Sequence, residues 1–144
     1  MQIPDPNQNF PDSLLEEIKN NTKKYREISQ IAYYSSLESI EQLQVFTKSS
    51  CDVECNVVFC YHAEKYRSDH REEIMLYIIR TLNEEIPKLK KLFSIAYVHD
   101  SISNFMYFRS ILKLLPAQFL GRLKEFYVVH AGIGVKFVEM LSFG

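Results

Sequence analysis

The chain has 144 residues, of which 47% are hydrophobic and 24% charged, and its formal net charge is −1. This length and apolar content suit one globular domain with a single core. A charge so close to zero argues against the basic surface typical of a nucleic-acid binder. Apolar runs such as residues 75–79 are too short to span a bilayer. We expect residues 1–11, rich in proline, asparagine and glutamine, to form a flexible lead-in and residues 12–144 to form one domain.

The start of the chain and its cysteines predict the cellular compartment. Residues 1–6 show neither a basic segment nor an apolar one, so no signal peptide is predicted. Cys51, Cys55 and Cys60 are three in number and close together, which favours reduced thiols and a cytoplasmic protein. Their spacing lacks the two-residue knuckle of common zinc sites, so no metal is predicted there.

The first elements are helical. Apolar residues recur at three-, four- or seven-residue steps, which predicts one face of a helix: Leu14, Ile18, Tyr25, Ile28 and Ala32. A shorter helix is predicted over residues 37–43, followed by an edge strand over 43–46.

Strands and helices then alternate to the end of the chain. Short apolar runs predict strands over residues 56–62, 94–99 and 126–130. Helices are predicted over 69–86, from about 101 to 115, and over 135–141 as a final helix. This alternation predicts βαβ units, and hence an α/β fold with a mostly parallel sheet flanked by helices.

Each of the three predicted strands ends in a histidine: His62, His99 and His130. In a parallel sheet these residues lie towards the carboxyl edge, where α/β folds bind ligands. A three-histidine metal site in an enzyme is therefore one hypothesis. No carboxylate is evidently placed to orient the rings, so we prefer the interpretation that the histidines mark strand ends. No catalytic residue, cofactor or metal ligand is predicted.

The C-terminal third resembles a known family. The run from Leu115 to His130, with residues 127–130 (Tyr-Val-Val-His) as its most specific part, resembles the CRAL-TRIO lipid-binding domain, particularly its divergent BCH-like branch. Residues 93–99 and 56–61 resemble the preceding strands of that family, and the resemblance covers about residues 40–143.

Two departures from the family pattern shape the expectation. Ala131 follows the last histidine where the family typically has proline. The family also continues into a further strand and helix, whereas this chain stops at Gly144. We therefore expect a CRAL-TRIO-like fold that is truncated or shortened at its C-terminus.

The resemblance implies a noncatalytic domain that binds a hydrophobic ligand, foremost a lipid, between the sheet and the last helix. Aromatic and apolar residues of the strands and neighbouring helices are the predicted ligand-binding set: Phe59, Tyr61, Tyr97, His99, Phe105, Phe108, Tyr127, Val129, His130, Phe137 and Leu141.

Other interactions stay open. The BCH-like branch implies a protein-interaction scaffold, with a small GTPase or a regulatory protein as partner and no lipid. A metal-dependent enzyme is the third alternative. Membrane contact is expected to be at most peripheral, with Lys88, Lys90 and Lys91 as candidates for contacting an anionic headgroup. Pairing of unsatisfied sheet edges would give a homodimer.

Overall fold

The computed structural model describes residues 12–49, 54–99, 104–130 and 139–140. The helices are α1 (Asp12–Tyr34), α2 (Glu38–Leu43), α3 (Arg71–Glu85), α4 (Phe105–Leu112) and α5 (Ala117–Leu120). The strands are β1 (Phe46–Ser49), β2 (Val57–His62), β3 (Phe93–His99), β4 (Leu123–His130) and β5 (Glu139–Met140). Short 3-10 turns occupy residues 63–65, 68–70 and 86–88.

The five strands form one sheet in the order β1-β2-β3-β4-β5. The three central strands are parallel, and β1 and β5 pair antiparallel at the two edges. The predicted α/β fold with a mostly parallel sheet is thus confirmed. The predicted domain boundaries at residues 11 and 12 stay a prediction, since residues 1–11 lie outside the described residues.

Two predicted elements are corrected. The final helix predicted over residues 135–141 is wrong at Glu139 and Met140, which pair with Val128 and Tyr127 of β4. The rest of that helix lies outside the described residues. The edge strand predicted over 43–46 starts at Phe46, because Gln44 adopts a left-handed conformation (φ 59°) that ends α2.

One face of the sheet packs against the helices; we call it the inner face. Strands alternate their side chains between faces, and the inner-face side chains that enter the core are Phe46, Val57, Phe59, Tyr61, Phe93, Ile95, Tyr97, Leu123, Phe126 and Val128. Every strand residue in the core cluster belongs to this face. The described core is therefore built on one side of the sheet.

Phe108 of α4 lies at the centre of that core. It is completely buried, and its ring lies 4.2 Å from Tyr61, 6.2 Å from Tyr97 and 6.3 Å from both Phe46 and Phe126, measured between centroids. Offset and tilted aromatic pairs at these distances contribute beyond the area they bury. One α4 side chain thus joins strands β1 to β4.

The helical layer is also joined internally by polar contacts. Asn83 of α3 accepts a hydrogen bond from the Tyr25 hydroxyl and donates one to the Ser29 hydroxyl, which fixes α3 against α1. Arg80 donates to the Ser35 carbonyl oxygen over 2.9 Å just after α1 ends. The contacts hold α1 in one position on the outside of α3.

Arg122 fastens the start of β4 to the segment that follows α3. Its guanidinium donates to the carbonyl oxygens of Ile86 (2.9 Å), Leu89 (2.5 Å) and Lys91 (2.9 Å). We expect Arg122→Met, which keeps an apolar stem, to lower the free energy of unfolding by about 2–3 kcal/mol, because hydrogen bonds to charged groups are worth roughly 1.5–3 kcal/mol. Urea unfolding followed by circular dichroism measures the change.

The exposed Arg67 provides the control for this prediction. Arg67→Met should change the free energy of unfolding by less than about 0.5 kcal/mol, as is usual for exposed positions. If the two substitutions changed the free energy of unfolding equally, the three hydrogen bonds to carbonyl oxygens would contribute no measurable stability.

Candidate ligand-binding face

The second face of the sheet, which we call the outer face, carries a different set of side chains. The strand register arranges them in three rows from the amino end to the carboxyl end of the parallel strands: Ser49, Val58, Ser94, Glu125; then Thr47, Cys60, Ala96, Tyr127; then His62, Val98, Val129. None of these residues belongs to the core cluster or packs against it. Among the described residues, no helix covers this face as α3 and α4 cover the inner one.

The side chains of the outer face are smallest along its middle strand, β3. Ser94 and Ala96 of β3 have small side chains and are buried, at 0% and 6% exposed. Cys60 and Tyr127, which flank Ala96 on the neighbouring strands, are half-buried. Because these small side chains lie between larger ones, the outer face is recessed along Ser94 and Ala96, and we call this strip of β3 the trough.

The two carboxyl-end rows are largely apolar. Val98 and Val129 are half-buried aliphatic side chains, and burial raises the pKa of the Cys60 thiol, so it stays neutral and acts as a small hydrophobe. Burial also lowers the pKa of His62, whose Nε2 lies 3.2 Å from the Thr47 hydroxyl oxygen. The imidazole is thus neutral at pH 7. These two rows place no charge against a ligand.

The amino-end row is polar. A bulge between Phe93 and Ser94 in the β3–β4 pairing leaves Lys124 as an extra residue of β4. Its Nζ lies 2.5 Å from Glu54 Oε2, just before β2, so this ion pair spans β3. The Ser94 hydroxyl is buried and has no hydrogen-bond partner among the described residues. The trough therefore has a polar end and an apolar remainder.

The structure separates the three strand-end histidines. His62 pairs with Val98, one residue before His99, so alternation points it to the outer face. His99 and His130 are register partners on the inner face, with ring centroids 5.1 Å apart. Their Nδ1 atoms are buried and have no hydrogen-bond partner in the part of the chain that the structure describes. The three-histidine site is not formed, and no group of three or more metal-ligating side chains occurs in the described part of the chain.

The predicted ligand-binding residues fall on both sides of the sheet. On the inner side, Tyr61 stacks on Tyr97 at 5.7 Å, and Phe105 meets Tyr97 edge-on at 5.1 Å. The inner-side members, all in contact with the aromatic packing described above, are Phe59, Tyr61, Tyr97, His99, Phe105, Phe108 and His130. Tyr127 and Val129 lie on the outer face. Phe137 and Leu141 lie outside the described residues.

Sequence reasoning missed the remaining apolar members of the outer face: Val58, Cys60, Ala96 and Val98. A period-two signal was available, because each alternates with a large aromatic or aliphatic residue that enters the core. The apolar character of both strand faces hid this period-two signal.

Together these features define an α/β domain whose described residues place the core on one side of the sheet and small and apolar side chains on the other. A family model of the divergent CRAL/TRIO domain matches residues 54–142, which include β2, β3, β4 and β5. The chain belongs to this family, and the resemblance seen in the sequence is confirmed. Assignment to the BCH-like branch stays a prediction. No curated protein matches the chain.

Membership of a CRAL-TRIO family suggests that the domain binds a lipid or another small hydrophobic molecule. Within the described ranges, no helix has both the length and the apolar character needed to cross a bilayer. The cytoplasmic location stays a prediction.

Proposed function

We propose that the domain binds a lipid or another hydrophobic molecule, without catalysis, in the trough along β3 on the outer face. The observation that carries this proposal is that the core formed by the described residues lies on one side of the sheet only. Val58, Cys60, Val98, Tyr127 and Val129 are half-buried apolar residues that do not pack against the core cluster. Ligand sites for such molecules are lined mainly by apolar side chains with a few polar groups.

The polarity along the trough suggests how a ligand lies in it. The hydrocarbon part fits the two apolar rows around Ala96 and Val98. A polar group at one end of the ligand fits the amino-end row, beside Glu125 and the ion pair of Lys124 with Glu54.

Filling the trough should prevent binding. We expect Ala96→Trp to reduce affinity for NBD-labelled phosphatidylcholine and an NBD-labelled fatty acid at least tenfold, because the indole occupies the lowest part of the trough. Fluorescence titration measures the affinity, and native mass spectrometry of the purified protein shows whether a lipid co-purifies.

The matched control is Ser39→Trp, which adds the same side chain at an exposed position of α2. It should leave the affinity for both probes unchanged. Circular dichroism should show that both variants are folded. If neither probe binds the wild-type chain and no lipid co-purifies, or if Ala96→Trp binds as the wild type does, the outer face is not the ligand site.

A second candidate function is supported by a groove in the helical layer. The groove has a volume of about 220 Å³ and lies between α1, α3 and α4: it is lined by Lys24, Arg71, Glu72, Met75, Tyr107, Ser110, Ile111 and Leu114. An apolar side chain of a protein partner would fit it, as a scaffold for a small GTPase or a regulatory protein requires. Ser110→Trp should then abolish capture of a small GTPase from a tested panel, whereas Ala96→Trp should not. Capture that survives Ser110→Trp excludes the groove.

A further inference from the structure

A line of basic residues runs along the solvent side of α1. Lys19, Lys23 and Arg26 are exposed, and steps of four and three residues place them on one face of the helix. We call these three residues the basic stripe. Residues 18–26 contain four basic residues and no acidic one. Glu16 and Glu17 directly precede this stretch, and Glu27 directly follows it.

The cations of the stripe are available to a partner. Ion pairs within the described residues involve Lys48, Lys124 and His70, and none involves the stripe. The fourth basic residue, Lys24, lies about 100° further round the helix and lines the groove beside Arg71. The stripe is thus a separate surface from the groove.

The same side of α1 ends in exposed aromatic rings. Tyr33 and Tyr34 are 72% and 81% exposed, and their rings meet edge-on at 4.9 Å. Ile31 beside them is 57% exposed. A depression of about 410 Å³ lies here, lined by Gln30, Ile31, Tyr34 and Ser35. Residues 28–37 carry no charge, so the helix passes from a basic stretch to an aromatic end.

We propose that the solvent side of α1 docks on an anionic lipid bilayer. The basic stripe faces the phosphates, and Tyr33 and Tyr34 enter the interfacial layer. Basic residues near an anionic bilayer are attracted to its surface potential. Tyrosine is enriched at membrane interfaces because its ring is apolar and its hydroxyl polar.

The shape and chemistry of the surface favour a bilayer over a macromolecular partner. A helix of 23 residues, about 34 Å long, presents the stripe and the tyrosines on one side, which suits a planar surface. A protein interface needs an apolar centre depleted of charge, and here the centre is the stripe. A nucleic-acid binder usually has a basic domain, whereas this chain has a net charge of −1.

This docking surface goes beyond the proposed ligand site and does not rest on it. It lies on the helical side of the sheet, away from the outer face, because Tyr25 and Ile28 of α1 belong to the core cluster. The helix also precedes the residues matched by the family model, which begin at residue 54. Loss of docking and loss of ligand binding are therefore separately measurable.

Vesicle co-sedimentation tests the proposal with the full chain. Wild-type protein should bind vesicles of phosphatidylcholine containing phosphatidylserine, bind pure phosphatidylcholine far more weakly, and release as salt is raised, because salt screens exposed charges. The triple variant Lys19→Gln, Lys23→Gln, Arg26→Gln should lose on the order of a hundredfold in partition, since each cation near the surface contributes about fivefold. Tyr33→Ala with Tyr34→Ala should weaken binding several-fold at every salt concentration.

The control removes the same number of charges elsewhere. Lys65, Arg67 and Lys113 are exposed and lie outside α1. Their triple glutamine variant should keep wild-type partition within a few-fold. The docking surface is overturned by three results: equal or greater loss in this control, no preference of the wild type for phosphatidylserine, or tighter binding to an oligonucleotide or to polyglutamate than to vesicles.

Discussion

Replacing Phe108 with alanine is expected to destabilise the domain by about 3–5 kcal/mol, the range found when a fully buried phenylalanine is truncated. The loss is large because this ring contacts inner-face aromatic residues of all four strands from β1 to β4. Removing it leaves a cavity whose lining belongs to several elements, so no single shift can close it. Urea unfolding at neutral pH measures the effect.

Two further substitutions make this prediction testable even if Phe108→Ala does not fold. Phe108→Leu keeps part of the volume and should cost only about 1–2 kcal/mol. Met106, on the same helix but 67% exposed, supplies the control, and Met106→Ala should change stability by less than about 0.5 kcal/mol. A loss below about 1 kcal/mol for Phe108→Ala would show that the core repacks around the cavity.

The second large effect is expected in alkali: the domain should unfold cooperatively between pH 10 and pH 12. Burial raises the pKa of Tyr25 to about 12 and that of Tyr97 to about 12, from an ordinary value of 10. Burial also raises the pKa of Tyr61 and of Tyr107, with the neighbouring tyrosines adding to the effect. All four phenols are therefore held neutral in the folded chain.

The direction of this change in stability follows from the difference in phenol pKa between the folded and the unfolded chain. A phenol whose pKa is raised by folding contributes its full stability below pH 10, where both states are neutral. Above pH 10 the unfolded chain ionises and the folded chain does not, so stability is lost as the pH rises towards the folded pKa. A two-unit shift corresponds to about 2.7 kcal/mol at about 1.36 kcal/mol per unit. Several such groups together are comparable to the stability of a typical small domain.

Absorbance of tyrosinate and circular dichroism, recorded together against pH, measure this transition. The absorbance of tyrosinate should rise steeply at the same high pH at which the helical circular dichroism signal is lost. Tyr97→Phe removes one of the ionising groups and should shift the midpoint to higher pH, whereas Tyr34→Phe, at an exposed position, should not. Ionisation of all nine tyrosines with the helical signal intact would contradict the prediction.

The strands and helices were largely predictable because each central strand is a short apolar run and each long helix has an apolar stripe. The edges were not. Gln44 takes a left-handed conformation that its residue type does not announce, which moved β1 along the chain. Residues 139–140 follow a helix-like pattern but pair with β4, since a hydrogen-bonded partner distant in sequence overrides local preference.

The candidate site was harder to predict than the fold, for a physical reason. In a run such as Val57-Val58-Phe59, both faces of the strand are apolar, so composition does not show which face meets the helices. Large rings suggested a ligand pocket. In the structure Tyr61 and Tyr97 belong to the core cluster, and their part in ligand binding stays a prediction. The histidines lay at strand ends as expected. A register offset of one residue put His62 on the opposite face from His99.

The alternation along β3 has a consequence for how this domain can change over evolution. Phe93, Ile95 and Tyr97 hold the fold together, while Ser94, Ala96 and Val98 between them form the floor of the trough. Substitutions at the second set alter the depth and polarity of the trough with little effect on the core. Selection can therefore act on the shape of the outer face and on stability through separate residues of the same strand, so that the outer face can diverge without a compensating change in the fold.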